Sequence, residues 1–143
     1  MRTYLDYNST VPLRSEAKQA MIEAMNYVGN PSSIHFEGRA AKNLVENARV
    51  KIAEAIGAVG AEIIFTSGAT ESAALALSGR NIICSRIEHD AVSSWCSVKL
   101  STDRSGMVDI DKPEYSALQV ANSETGIIQK NVRGIWLSDM TQA

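Results

Sequence analysis

The chain has 143 residues, of which 45% are hydrophobic and 21% are charged, and its formal net charge is −2. This length and composition predict one folded domain with an apolar core and exclude a disordered or low-complexity segment. The small negative charge, and the spread of the fourteen Lys and Arg residues along the chain, argue against nucleic-acid binding. We therefore expect a small-molecule ligand.

No segment indicates a membrane, a secretion signal or a metal site. The apolar runs are far shorter than a membrane span, and the N-terminus lacks the basic start and apolar core of a signal peptide, so the cytoplasm is expected. Cys84 and Cys96 have neither metal-ligand spacing nor the density of a disulfide framework. Both are predicted to be reduced thiols with packing roles, Cys96 on a helix.

Two amphipathic helices are predicted in the first part of the chain. Apolar side chains recur at helical spacing over residues 17–28, and Gly29 would end that helix. A second apolar face runs over residues 41–56, and Gly57 would close it. Each helix should bury its apolar face against other parts of the fold.

The next elements are predicted to be strands buried on both faces. Continuous apolar runs of this kind favour a mainly parallel sheet covered by helices. The runs are "EIIFT" (62–66), "NIICS" (81–85), "ALQVA" (117–121) and "GIWLS" (134–138). The connecting segment 122–133 is close to the minimum length for a crossover with a helix. Either the covering layer is incomplete there, or the last two strands are not neighbours in the sheet.

The turn "TSGATES" joins the first of these runs to an alanine-rich segment with helical composition. Gly68 permits close backbone approach, and the hydroxyls of Thr66, Ser67 and Thr70 can cap the helix or donate to a phosphate. The turn has neither the glycine pattern of a dinucleotide fingerprint nor the Gly-Lys-Ser/Thr of a P-loop. A simple helix cap and an anion site both remain open.

Two further polar residues follow predicted strands. His89, in "IEHDAV", begins a predicted helix, and alone it is explained by ordinary hydrogen bonding. Asp139, in "WLSDMTQA", is explained alone by a turn or an N-cap. Ligands of parallel α/β sheets collect at the carboxyl ends of strands, so one pocket could hold phosphate donors, an imidazole and a carboxylate. This set suits pyridoxal phosphate, whose pyridine nitrogen pairs with a buried carboxylate.

Six motifs in order carry a family resemblance. They are "YLDYNSTVPL", "GNPSSIHFEGRAA", "EIIFTSGATES", "IEHDAV", "ANSETGIIQ" and "SDMTQA". From about Tyr4 to Ala143 the chain resembles the cysteine desulfurases, pyridoxal-phosphate enzymes of the class V aminotransferase group. The resemblance implies part of a fold-type I transferase large domain over residues 1–143, an α/β fold with a mainly parallel sheet and flanking helices. Residues 1–13 would pack near the small domain.

The resemblance also implies roles for individual residues. Ala69 and Thr70 would bind the cofactor phosphate, and His89 would stack on the ring as a catalytic residue. Asp139 would face the pyridine nitrogen, and Gln142 would reach the phenolic oxygen.

Three more positions are implied by the same motifs. Asn8 and Asn30 would lie near the substrate. Ser123 stands where the family usually has an asparagine that contacts the phenolic oxygen, so its shorter side chain would need a bridging water.

The family's Schiff-base lysine and persulfide-forming cysteine lie beyond the last residue of this chain. The lysines present are predicted to lie on solvated helix faces and loops. The resemblance therefore implies a complementary C-terminal half chain, a dimer of the completed enzyme, and conversion of L-cysteine to L-alanine and a persulfide. A non-catalytic module, or another lyase or aminotransferase of the same group, remains an alternative.

Overall fold

The computed structural model describes residues 2–130 and 132–143, and the chain divides into two compact units. One unit ends at Phe65, and the other comprises Thr66–Ala143. The elements in chain order are α1 (Ser15–Ala24), α2 (Phe36–Ala55), α3 (Ala69–Leu77), β1 (Ile83–Ser85), α4 (Asp90–Ser93), β2 (Val98–Leu100) and β3 (Ser116–Ala117). The predicted α/β class with a parallel sheet is confirmed. The assignment of residues 1–143 to one large domain stays a prediction, as does the place of residues 1–13.

Helix α1 is shorter than predicted, because it ends at Ala24 rather than near Val28. The backbone N–H of Asn26 donates to the carbonyl of Glu23 at 3.1 Å, and its side-chain amide donates to the carbonyl of Ile22 at 3.3 Å. The last turn therefore tightens, and the side chain of Asn26 takes the acceptor that its own N–H would use in a longer helix.

Helix α2 confirms the second predicted helix. His35 caps its N-terminus, where the imidazole Nδ1 accepts from the N–H of Gly38 at 3.3 Å. Gly57 follows its C-terminus with a φ of 68°, a left-handed conformation that favours glycine. Gly38 also touches the preceding loop, since a Cβ there would lie 2.3 Å from the carbonyl oxygen of Ser33.

The apolar faces of α1 and α2 are exposed rather than buried. In the part of the first unit that the structure describes, only Gly38 and Ala41 are buried. Met25 of the first predicted face is 75% exposed, and Ile56 of the second is 65% exposed. The burial predicted for these faces is therefore not reached within this chain.

The run 62–66 was predicted to be a strand, and this prediction is wrong for the described chain. None of its residues is paired in the sheet, and Ile64 and Phe65 are exposed. The guanidinium of Arg49 donates to the carbonyl of Ile63 and lies 4.8 Å from the ring centre of Phe65. A side chain of α2 thus takes a backbone acceptor that a neighbouring strand would otherwise use.

The sheet of the second unit has three parallel strands in the order β2-β1-β3. Its register pairs Cys84 with Lys99 on one side and with Ala117 on the other. The central strand β1 lies in the predicted run "NIICS". Strand β2 was not predicted.

The run "GIWLS" joins the sheet next to β3 as a parallel segment. Leu137 pairs with Ala117, and the N–H of Leu118 donates to the carbonyl of Leu137 at 3.0 Å. The segment 122–133 has no helix in its described residues, and Ala121 forms an antiparallel bridge with Ile128. The two runs are therefore neighbours, and the described residues of this connection provide no covering helix.

The core of the second unit lies between this sheet and helices α3 and α4. Its buried apolar residues are Ala73, Leu77, Ile82, Cys84, Val92 and Ala117. Cys84 is fully buried and reduced, as predicted. Cys96 is half-buried, but it lies beyond the end of α4 and not on a helix.

Lys99 was predicted to lie on a solvated surface, and this prediction is wrong. It lies on β2, is half-buried, and its ammonium donates to the Sγ of Cys84 at 3.3 Å and to the carbonyl of Ser93.

Candidate active site

The turn before α3 is built from internal hydrogen bonds that leave the helix start uncapped. The Thr66 hydroxyl donates to the carbonyl of Gly68 at 3.1 Å, and the Glu71 carboxylate accepts from the N–H and the hydroxyl of Ser67, both at 2.6 Å. These bonds from Ser67 hold the pKa of Glu71 below its usual value. No side chain caps α3 at Gly68, so the simple cap that the sequence left open is not formed.

Ala69 and Thr70 are the first two residues of α3, and both are exposed. Their N–H groups belong to the helix N-terminus, which lacks intrahelical acceptors and carries the positive end of the helix dipole. Together with the Thr70 hydroxyl they form a donor set suited to an anion. Glu71 acts against this, because its carboxylate lies in the same first turn.

His89 caps α4 at the end of the loop that follows β1. Its Nδ1 accepts from the N–H of Ala91 at 3.1 Å, so a neutral ring carries its proton on Nε2. The hydrogen-bonding role expected for a histidine in this position is thus present. The residue is exposed, which leaves the ring accessible to a ligand.

Asp139 follows the segment that pairs with β3 through Leu137. Its Oδ1 accepts from the N–H of Thr141 at 3.0 Å and from the Thr141 hydroxyl at 2.6 Å. The backbone carbonyl of Asp139 accepts from the N–H of Val120 at 3.2 Å. Asp139 therefore has the turn role expected for it. Both of these hydrogen bonds hold the carboxylate through Oδ1.

Glu88, directly before His89, is a buried carboxyl that the sequence reasoning did not single out. It is 7% exposed, and its Oε1 accepts from the N–H of Gln119 at 2.6 Å and from the hydroxyl of Ser85 at 3.3 Å. Burial raises the pKa of Glu88, and the charge of Asp139 adds to this rise, while the hydrogen bonds from Gln119 and Ser85 and the charge of Lys99 oppose it. The only signal in the sequence was a Glu directly before a candidate His, which does not reveal that the carboxyl is buried.

Asn122 joins the loop of Ser123 to the loop of His89. Its side-chain amide donates to the carbonyl of Ile87 at 2.6 Å and to the Oε1 of Gln119 at 3.0 Å. Its Oδ1 accepts from the N–H of Thr125 at 2.8 Å. Ser123 is half-buried and directly follows this anchor.

The structure brings His89 and Asp139 to one edge of the sheet. Cys84 of β1 and Leu137 both pair in parallel with Ala117, so the chain leaves the sheet toward His89 and toward Asp139 in the same direction. Ser123 joins this edge through Asn122. The position of Ala69 and Thr70 is fixed less directly, because α3 packs against α4 through the core.

The remaining predicted residues are not brought into this group by a described contact. Asn30 is exposed in the first unit, where its Oδ1 accepts from the N–H of Ser32 at 2.9 Å. Asn8 is exposed in the same unit, and Gln142 is half-buried in the second. Their proposed contacts stay predictions.

The described residues, 2–130 and 132–143, hold no cluster of three or more His, Cys, Asp or Glu side chains arranged for a metal ion. Among these residues, no helix combines the length and the apolar character that a membrane crossing requires.

The residues at the strand edge fit pyridoxal phosphate by their chemistry. The uncapped N-terminus of α3, with the hydroxyl of Thr70 in its first turn, suits a phosphate. The carboxylate of Asp139, which is held through Oδ1, suits a protonated ring nitrogen. An accessible imidazole at His89 suits a ring face.

Comparisons with known proteins identify the family of this chain. The family model described as "Aminotransferase class-V" matches residues 3–135. A cysteine desulfurase IscS of Dictyoglomus turgidum is 41% identical over an alignment that covers 88% of this chain and 39% of that protein. A putative cysteine desulfurase IscS 1 of Bacillus subtilis is 42% identical, with 90% of this chain and 41% of that protein covered.

Solved structures agree as well. A NifS-like protein from Rickettsia africae superposes with a TM-score of 0.74 at 30% identity, covering 88% of this chain and 41% of its own. The chain therefore spans about two fifths of the length of the curated relatives it matches. Because the family model matches nearly the whole chain, this protein belongs to the class-V aminotransferase family, among relatives that are cysteine desulfurases.

Proposed function

We propose that this chain provides the cofactor-binding part of a pyridoxal-phosphate-dependent cysteine desulfurase, which converts L-cysteine to L-alanine and an enzyme-bound persulfide. The observation that carries the proposal is the common pairing of β1 and Leu137 with Ala117, which supports His89 and Asp139 acting on one ligand. The IscS relatives of Dictyoglomus turgidum and Bacillus subtilis support the choice of reaction.

Each residue that would contact the cofactor has a separate role in the proposed site. The N–H groups of Ala69 and Thr70, with the Thr70 hydroxyl, bind the phosphate and fix the position of the cofactor. His89 packs its ring face against the cofactor ring, and its Nδ1 bond to Ala91 fixes the imidazole plane. Asp139 holds a proton on the pyridine nitrogen.

The bound cofactor supplies an electron-withdrawing ring that stabilises negative charge developing on the substrate. Ser123 and Gln142 orient it at the phenolic oxygen, with a water bridging the short side chain of Ser123. Asn8 and Asn30 contribute to the substrate side. All of these contacts are part of the proposal.

We propose further that a complementary C-terminal chain or segment supplies the covalent lysine and the persulfide-forming cysteine, and that the completed enzyme is a cytoplasmic dimer. Two observations support a missing covering part. This chain matches only about two fifths of its relatives' length, and large apolar side chains are exposed on it. Examples are Met25, Val28, Ile34, Phe36 and Ile64. Apolar exposure on this scale is typical of a surface that another polypeptide covers.

The test is to co-express the chain with the C-terminal part of the Dictyoglomus turgidum relative. Cofactor occupancy is measured by absorbance, and alanine and sulfide are measured after L-cysteine is added. We expect cofactor binding and equal amounts of alanine and sulfide in the presence of a thiol reductant. The chain alone should give no borohydride-fixed cofactor at any one lysine.

The outcomes separate the proposal from its alternatives. Cofactor binding with a different amino-acid product would replace the desulfurase by another lyase or an aminotransferase. A stable complex that neither binds cofactor nor reacts would favour a non-catalytic module. A stoichiometric fixed adduct on the isolated chain would contradict the need for a second part.

A further inference from the structure

The buried carboxyl group of Glu88 has hydrogen-bond donors at one of its oxygens and none at the other, among the described residues. Both donors, the N–H of Gln119 and the hydroxyl of Ser85, converge on Oε1. Oε2 is buried and has no hydrogen-bond partner in the part of the chain that the structure describes. Two donors on one oxygen and none on the other leave half of a carboxylate's shared charge buried without a partner, whereas a neutral acid places an uncharged hydroxyl there, which costs less to bury.

Two charged groups act on Glu88 from the neighbouring segments. Asp139, beside β3, disfavours a second negative charge, and Lys99, on β2, favours it. The ammonium of Lys99 already donates to Cys84 and to the carbonyl of Ser93, so it acts from a distance and does not hydrogen-bond to Glu88. Burial and Asp139 thus act in the same direction, and burial is the largest cause of the raised pKa of Glu88.

We infer that Glu88 is a positioning residue that enters the folded chain as a neutral carboxylic acid and ties the loop before His89 to the end of β3 without adding a negative charge beside Asp139. The proton lies on Oε2, and Oε1 accepts from Gln119. The statement about the proton stands independently of the cofactor. The benefit for His89 and Asp139 rests on the proposed function.

The strand edge requires a hydrogen-bond acceptor at Glu88 but no second negative charge near Asp139, and a neutral Glu88 meets both requirements. The buried N–H of Gln119 requires a hydrogen-bond acceptor, and Glu88 supplies it from the loop that carries His89. A carboxylate in that place would add a second negative charge near Asp139, and the two charges would repel each other. Environments that push two neighbouring carboxyl groups apart in pKa allow one to stay neutral while the other carries the charge.

The proton makes the stability of the chain depend on pH with a defined sign. The folded chain holds a proton that the unfolded chain releases near the ordinary glutamate pKa of 4.5. Stability is therefore unaffected below that value, falls as the pH rises above it, and levels off beyond the folded pKa of Glu88. Within that window one proton of linkage raises the unfolding equilibrium constant by up to about tenfold per pH unit.

The experiment follows urea unfolding and carboxyl carbon NMR of the full chain from pH 4 to pH 8. The variants are Glu88→Gln, Asp139→Asn, Glu88→Ala and, as a matched control, Glu54→Gln, which makes the same change at an exposed residue of α2. Glu88→Gln keeps the acceptor and carries no charge. It should remove this one-proton fall in stability, whereas Glu54→Gln should keep it.

NMR gives the readout that separates a charge role from simple packing. One glutamate resonance, absent in Glu88→Gln and present in Glu54→Gln, should stay protonated above the ordinary glutamate pKa of 4.5. In Asp139→Asn its midpoint should move to lower pH, because the neighbouring negative charge is gone. Hydrogen-exchange protection of the Gln119 N–H should be lost in Glu88→Ala and rescued in Glu88→Gln.

Three results would overturn the inference. They are a Glu88 resonance that ionises at the ordinary glutamate pKa of 4.5, an unchanged midpoint in Asp139→Asn, and a Glu88→Gln variant that is unfolded or as unprotected at Gln119 as Glu88→Ala. A Glu88 that keeps its proton above the ordinary glutamate pKa, in a reconstituted enzyme without activity, would count against the proposed function and would leave this inference standing.

Discussion

Replacing Asn122 by alanine should destabilise the chain by about 2–6 kcal/mol, because a buried acceptor at Gln119 and a half-buried acceptor at Ile87 lose their donor. The side-chain amide donates to the carbonyl of Ile87 and to the Oε1 of Gln119, and Asn122 and Gln119 are each 3% exposed. Each acceptor left without a donor costs about 1–3 kcal/mol. The donors that reach Oδ1 come from Glu124 and Thr125, which are exposed and can turn to water, so they add little.

The assay is urea unfolding at fixed pH, followed by far-ultraviolet circular dichroism. Asn43→Ala, on the exposed surface of α2, is the control and should change the free energy of unfolding by less than about 0.7 kcal/mol. Asn122→Asp keeps the acceptor but places an oxygen against the two carbonyl-type oxygens, so it should cost at least as much at neutral pH. A loss below about 1 kcal/mol in Asn122→Ala would show that water replaces the amide and would refute the reasoning.

Two further substitutions test the site, and a labelling experiment tests the burial of Cys96. In the completed enzyme, Thr70→Val should lower cofactor affinity by about 1–2 kcal/mol with little change in stability, because one hydrogen bond to a charged phosphate is lost. Equilibrium dialysis measures this, and lost stability with unchanged affinity would make Thr70 a structural residue. Asp139→Asn should keep cofactor occupancy but reduce sulfide release by orders of magnitude, since the ring nitrogen loses its charged partner. Near-normal turnover would remove Asp139 from the proposed role. Burial, with a contribution from Cys84, raises the pKa of Cys96 to about 12, so about one thiol in 10⁴ is ionised at pH 8. Iodoacetamide should therefore label Cys96 far more slowly in the folded chain than in urea, as followed by mass spectrometry, and equal rates would contradict its burial.

Local signals were sufficient for the helices but not for the whole sheet. The face over residues 41–56 and the stop at Gly57 predicted α2, because spacing and a glycine C-cap are local properties. The run 62–66 has the composition of a strand, but pairing depends on a neighbour that the described chain does not provide. Strand β2 was missed because Lys99, in its centre, gives the segment a polar pattern, although its ammonium is satisfied by Cys84 and Ser93.

The candidate site divides in the same way. His89 and Asp139 were found because each follows an apolar run, and parallel strands send such residues to one edge. Glu88, Gln119 and Asn122 were missed because their importance arises from contacts between segments far apart in the sequence. A buried polar group is recognised by its hydrogen-bond partners, and the sequence alone does not identify them.

The distance in sequence between Glu88 and its partners has a consequence for synthesis on the ribosome. Gln119 follows Glu88 by 31 residues, and Asn122 follows Ile87 by 35. At about 5–20 residues per second, Glu88 waits roughly 2–6 seconds before Gln119 has been added. During that time its carboxyl is hydrated and, at neutral pH, ionised. The second unit therefore closes more favourably where Glu88 keeps its proton, so acquisition of protease resistance by stalled nascent chains should become less favourable as the pH rises above the ordinary glutamate pKa of 4.5.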